Sequence, residues 1–138
     1  MITGFCSETE EEHQDTLSLM DLVKFDYAYM FYYSERPGTL AEKKYKDDID
    51  LATKNRRLNE IILKHREHAL ESNLRDVGKT HSVLIEGFSK RSQEHLYGRS
   101  SNNKVIVFPK GNHKKGEYVN VLVKECTGGT LIGEVVNG

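Results

Sequence analysis

The sequence holds no tryptophan, two prolines and two cysteines. Cys6 and Cys126 stand far apart, outside any CxxC or His-rich pattern, and the composition argues against a disulfide scaffold. Reduced thiols in a cytoplasmic protein are the expectation. No apolar run approaches the roughly 20 residues that a membrane span needs, and no membrane partner is expected. The opening Met1-Ile2-Thr3-Gly4-Phe5 has neither a basic region nor a long apolar core, so it does not read as a signal peptide. What is present is an ordinary soluble mixture. The 138 residues are 30% charged and 37% apolar with a net charge of -1, which argues against disorder or collagen and for one domain or two small pieces.

The near-neutral total conceals an asymmetry. Residues 1–75 carry 11 Lys/Arg against 15 Asp/Glu, and residues 76–138 carry 9 against 6. Lys90, Arg91, Arg99, Lys104, Lys110, Lys114 and Lys115 crowd one stretch in which Glu94 is the only acid. Such a field attracts polyanions, although a solvated lysine face has the same composition.

Thr9-Glu10-Glu11-Glu12 has the spacing of a capping box, in which Thr9 and Glu12 satisfy each other's backbone amides. It predicts a helix from about Thr9 to Lys24, with Leu17, Met20, Leu22 and Val23 as the apolar face and His13 among the polar residues. Ile2–Phe5 before it reads as a strand end. Phe25–Tyr33 after it, apolar on both faces, reads as a strand covered on both sides in a parallel sheet. Strand, helix, strand makes a βαβ unit. Ser34-Glu35-Arg36-Pro37-Gly38-Thr39 is a post-strand turn, the place where α/β proteins keep their sites. Arg36 is thus either an anion contact or a surface arginine in a turn. A short helix near Thr39–Tyr45 and a long one from about Leu51 to Asn73 follow. The long helix has a stripe of Leu58, Ile61, Ile62, Ala69 and Leu70 and the charge pairs Arg56/Glu60 and Glu60/Lys64. Asp47, Asp48 and Asp50 read as helix-entry caps. His65 and His68 read as a solvent-facing pair, with no metal expected.

From Val77 the texture is β. Thr80–Phe88, His95–Arg99, Lys104–Phe108, Tyr118–Glu125 and Thr130–Val136 predict a five-stranded antiparallel β-barrel of OB-like size. The fold class is therefore α+β, residues 1–75 being a partial α/β piece and residues 76–138 the barrel.

Three stretches resemble the C-terminal part of the tRNA methylthiotransferases of the MiaB type, radical S-adenosylmethionine enzymes that end in a TRAM domain. Gly4-Phe5-Cys6-Ser7-Glu8-Thr9-Glu10-Glu11 is similar to the family's GFPGETEE, with Cys6-Ser7 in place of Pro-Gly. Phe31-Tyr32-Tyr33-Ser34-Glu35-Arg36-Pro37-Gly38-Thr39 is similar to its Y-S-x-R-P-G-T turn. Arg36-Pro37 separates this type from the related ribosomal-protein enzymes, which usually carry an acidic residue there. Lys90-Arg91-Ser92, Leu96-Tyr97-Gly98-Arg99-Ser100 and Asn103-Lys104-Val105-Ile106-Val107-Phe108 resemble the middle of a TRAM domain.

The resemblance implies the last βα units of a TIM-like radical-SAM barrel followed by a TRAM domain. It also implies methylthiolation of the isopentenylated adenosine beside a tRNA anticodon, two 4Fe–4S clusters and S-adenosylmethionine in the whole enzyme. No CxxxCxxC is present, so this chain is expected to hold none of these cofactors, no metal and no catalytic residue. It is expected to supply tRNA binding. The alternative is a stand-alone RNA-binding barrel, for the anticodon stem-loop or another polyanion such as ribosomal RNA; no DNA partner is expected. Lys90, Arg91, Arg99, Lys104, Lys110, Lys114 and Lys115 are the phosphate candidates. Tyr97, with Phe88, is the stacking candidate, whereas Phe108 reads as core. Asn103 reads as a base or backbone contact, or as a turn residue. Ser34 and Arg36 are expected to face the substrate side of the larger barrel. Self-association through a cut sheet edge is a further expectation.

Overall fold

The computed structural model describes residues 1–137. The chain forms two compact units, Met1–Ala69 and a second beginning at Leu70.

In the first unit, β1 (Ile2–Thr3) runs parallel to β2 (Phe31–Tyr32), with α1 (Glu10–Val23) between them in sequence. This is the expected βαβ connection. The capping box at the helix start is formed: Thr9 Oγ1 accepts from the Glu12 amide at 3.2 Å, and Glu12 Oε2 accepts from the Thr9 amide at 2.7 Å. Lys24 ends the helix in the left-handed conformation. The helix α2 (Leu40–Lys44) is capped by Thr39, and α3 (Leu51–Leu74) opens with Asp50 accepting from the Thr53 amide at 3.1 Å.

Several side chains lie elsewhere than the pattern suggests. His13, assigned to the polar face, is wholly buried, as is Met20, whereas Leu22 and Val23 are exposed. The buried side of α1 is the one on which α3 offers polar partners, as when Glu60 hydrogen-bonds with His13 at 2.6 Å. His65 and His68 are buried, not solvent-facing. Asp21 sits 3.1 Å from His68 and takes Lys64 at 2.6 Å, so the expected Glu60/Lys64 pair is replaced, while Arg56/Glu60 forms at 2.8 Å. The segment Phe25–Tyr33 is strand only at Phe31–Tyr32, and Tyr27, Tyr29 and Phe31 are exposed. Among the described residues of this unit no further strand flanks β1–β2 to bury those faces.

The second unit is a closed five-stranded barrel of β3 (Thr80–Ser89), β4 (Ser92–Ser100), β5 (Val105–Pro109), β6 (Tyr118–Cys126) and β7 (Leu131–Val136). Its order is β3-β4-β5-β7-β6. The barrel is mixed and not purely antiparallel, because β7 pairs parallel to β5 through Ile106↔Leu131 and Val107↔Ile132. Only that pairing lets the last hairpin close on the third strand and leave no open edge. Alternate residues turn inward to make the core, with Val83, Ile85, Ile106, Phe108, Val121, Val123 and Leu131 all at most 1% exposed. Gly98 and Gly133 occupy inward positions where strands pass closest: a Cβ at Gly98 would lie 2.5 Å from Val83 Cγ1, and one at Gly133 2.7 Å from Val121 Cγ1.

Candidate nucleic-acid interface

Strand register decides which of the basic residues meet. Lys90 and Arg91 form the turn between β3 and β4. Because β5 runs antiparallel to β4, with His95 opposite Pro109, the end of β5 arrives at the same rim, and the Lys110 amide bonds the Glu94 carbonyl at 2.9 Å. Lys114 and Lys115 lead into β6. The following residues extend the ladder with β3, Gly116 donating to Ile85 and Ile85 to Glu117 at 2.9 Å each. Lys90, Arg91, Lys110, Lys114 and Lys115 therefore gather at one end of the barrel, all exposed, against the carboxylates of Glu94 and Glu117.

Tyr97 and Arg99 lie on the outer face of β4, alternating with the inward Leu96 and Gly98 and pairing with Val107 and Val105 on β5. The Tyr97 ring covers Gly87, with its Cε1 3.6 Å from where that residue's Cβ would stand. Arg99 bonds Asn103 Oδ1 at 3.2 Å and sits 3.5 Å from Glu86. The second and third strands of such barrels, with the loop joining the first two, form the usual oligonucleotide surface.

The other end of the barrel is different. Asn103 has a φ of 63° and donates its amide to the Ser100 carbonyl at 2.9 Å, so it shapes the β4–β5 turn. Lys104 turns away from solvent: its Nζ bonds Ser72 Oγ at 2.7 Å and the Asp76 carboxylate. Burial alone would raise the Asp76 carboxyl, but the Lys104 hydrogen bond and the charges of Lys104, His81 and Lys79 hold it below the ordinary value. Lys104 is thus separated from the rim cluster and already neutralised. No local signal in the sequence marks that pairing.

In the first unit, Ser34 and Arg36 line a cleft of about 630 Å³ with Phe31, Tyr32, Tyr33 and Thr39. The Arg36 carbonyl accepts from Thr39 Oγ1 at 2.8 Å, fixing the turn. Three buried ionisable side chains of this unit carry no local signal in the sequence. Lys54 meets Asp47 at 2.6 Å and the Tyr33 carbonyl at 3.1 Å, Arg57 meets Glu8 at 2.9 Å, and His13 meets Glu60. Glu10, His13 and Glu60 converge within 4.8 Å. The Arg56 guanidinium already bridges both carboxylates, at 2.6 and 2.8 Å, and with Gln14 it holds the Glu10 carboxyl at about 2.

Residues 74–136 match the family model of the TRAM domain. The chain is 62% identical, over 98% of its length, to a tRNA-2-methylthio-N(6)-dimethylallyladenosine synthase of Amoebophilus asiaticus, covering 28% of that protein. Proteins of the same name from Flavobacterium johnsoniae and Phocaeicola vulgatus are 52% and 53% identical over 99% of the chain, which covers 28% and 30% of them. The chain spans less than a third of the length of these curated relatives. Among the described residues no helix is long and apolar enough to cross a membrane.

Proposed function

We propose that the chain, which matches the TRAM domain and the C-terminal region of tRNA-2-methylthio-N(6)-dimethylallyladenosine synthases, is part of such a tRNA methylthiotransferase, and that its barrel is the tRNA-holding part. The observation that carries this is the convergence of Lys90, Arg91, Lys110, Lys114 and Lys115 on one barrel end. Five cations within one rim neutralise successive phosphates and release their counterions, which gives affinity without reading sequence. Tyr97 and Arg99 on the adjoining strand face extend the surface toward bases, which in an anticodon loop are unpaired and open to stacking. The substrate class is the anticodon stem-loop of a tRNA, and the whole enzyme's reaction is methylthiolation of the modified adenosine beside the anticodon.

The chemistry itself belongs to the remainder of the enzyme. A 4Fe–4S cluster is held by a set of cysteine thiolates, three of them where one iron is left open as in CxxxCxxC. This chain has Cys6, buried in the first unit, and Cys126, half-buried in the second. The residues present do not fit either cluster, and the chain contributes binding without turnover. The βαβ unit and the cleft holding Ser34 and Arg36 form one flank of the larger barrel, facing substrate. Arg36→Ala in the full-length enzyme should depress methylthiolation; wild-type turnover would leave Arg36 its turn role alone.

The binding claim is tested by titrating the 138-residue chain with an anticodon stem-loop at several salt concentrations. Replacing Lys90, Arg91, Lys114 and Lys115 by glutamine should flatten the plot of log K against log salt by about 0.7–0.9 for each phosphate no longer neutralised. Affinity and slope both unchanged would refute it.

A further inference from the structure

The barrel unit has two phenylalanines with opposite fates. Phe108 is wholly buried in the core, whereas Phe88 is 51% exposed. Phe88 pairs with Leu96, which is 2% exposed, at the rim where the core stops and β3 leads into the Lys90-Arg91 turn. An irregularity between Ile85 and Gly87 sets this register, and bulges next to binding sites commonly re-aim a side chain. Lys110 Nζ stands 5.1 Å from the centre of the Phe88 ring. An open aromatic face, a cation against it and two more cations in the next turn form one group. A single nucleotide presents the matching pair, a flat base and a phosphate.

We propose that Phe88 is the stacking platform for one unpaired base of the bound RNA, whose phosphate is held by Lys110 and the Lys90-Arg91 turn. The proposal rests on the RNA-binding reading above and adds to it the place where a base, and not only backbone, is engaged. Lys110 is positioned to exchange the ring for the phosphate as the base arrives. Base–aromatic stacking tolerates any base because every base has a π-face, so the platform adds affinity without choosing a sequence.

The absence of tryptophan gives a direct test, because Phe88→Trp makes the 138-residue chain carry a lone indole. The chain is titrated with oligouridylate, oligoadenylate and an abasic ribose-phosphate chain of equal length. The indole should be quenched along the binding curve by both base-bearing strands and not by the abasic one. Phe88→Ala and Phe88→Leu should each bind base-bearing strands about 5- to 30-fold more weakly, with unchanged salt slope and unchanged binding to the abasic chain. A thermal melt like that of wild type shows that the barrel of each variant is intact. If both variants bind like wild type while loss of Lys90 and Arg91 flattens the salt slope, the stacking role is overturned and the phosphate reading stands. If neither set changes binding, both fall.

Discussion

Lys104 and Asp76, 28 residues apart in sequence, hydrogen-bond to each other with both side chains only 9% exposed. The pair joins the β4–β5 turn to the segment between α3 and β3, and Ser72 in the last turn of α3 completes it. Removing one member of a buried pair leaves the other charge without compensation, at a cost of about 3 kcal/mol. Lys104→Met should therefore lower unfolding stability by that order in denaturant titrations. RNA affinity under conditions where the variant is folded should stay within about twofold of wild type, because the charge faces Asp76 and not solvent. A large loss of affinity in a fully folded variant would return Lys104 to the phosphate surface.

His65 predicts a pH dependence of the first unit. Burial, and then the neighbouring His68, hold its imidazole below the ordinary 6.5. Between its folded value and 6.5 the unfolded chain binds the extra proton, so stability is complete above 6.5 and is lost as pH falls through the folded value. Melting temperatures measured from pH 7.5 down to 5.5 should fall more steeply for wild type than for His65→Leu. Parallel curves would show that His65 contributes nothing to the acid sensitivity.

What is legible in the sequence is local. Thr9 and Glu12 are three residues apart and their capping box obeys a rule complete within one turn. Val119, Val121 and Val123 alternate into the core as a strand with one buried face must. What is not legible depends on distant partners. The parallel β5–β7 pairing follows from closing the barrel, which no single strand encodes. His13, His65 and His68 look polar in sequence and are buried because Glu60, Asp21 and neighbouring elements arrive from elsewhere in the chain. The basic stretch reads as one patch, but hairpin geometry sends Lys90 and Lys110 to one end and Lys104 to the other.

Gly98 and Gly133 set the closeness of the barrel strands. A Cβ at Gly98 would come within 2.9 Å of the Leu84 carbonyl carbon and 2.5 Å of Val83 Cγ1; one at Gly133 would come within 3.0 Å of the Leu122 carbonyl carbon. Backbone cannot yield as a flexible side-chain tip can, so Gly98→Ala and Gly133→Ala should each cost about 1–3 kcal/mol. Gly128→Ala, at a turn position where an added Cβ meets nothing within 4 Å, serves as the control. Equal stability of all three variants by denaturant unfolding would show that the strands can separate freely.

Glu86 restrains the one arginine on the outer face of β4. Its carboxylate lies 3.5 Å from Arg99 Nε, the two side chains being 37% and 36% exposed. A pair so open to water contributes at most about 1 kcal/mol to stability, so Glu86→Gln should leave the melting temperature nearly unchanged. Its effect should appear in RNA binding instead. With the competing carboxylate gone, Arg99 is available to a phosphate, and the anticodon stem-loop should bind more tightly with a salt slope steeper by about 0.7–0.9. Glu86→Gln combined with Arg99→Gln should lose that gain, because the added phosphate interaction belongs to the arginine. Unchanged or weaker binding by the single variant would place Arg99 outside the RNA surface and confine phosphate binding to the rim of Lys90, Arg91, Lys110, Lys114 and Lys115.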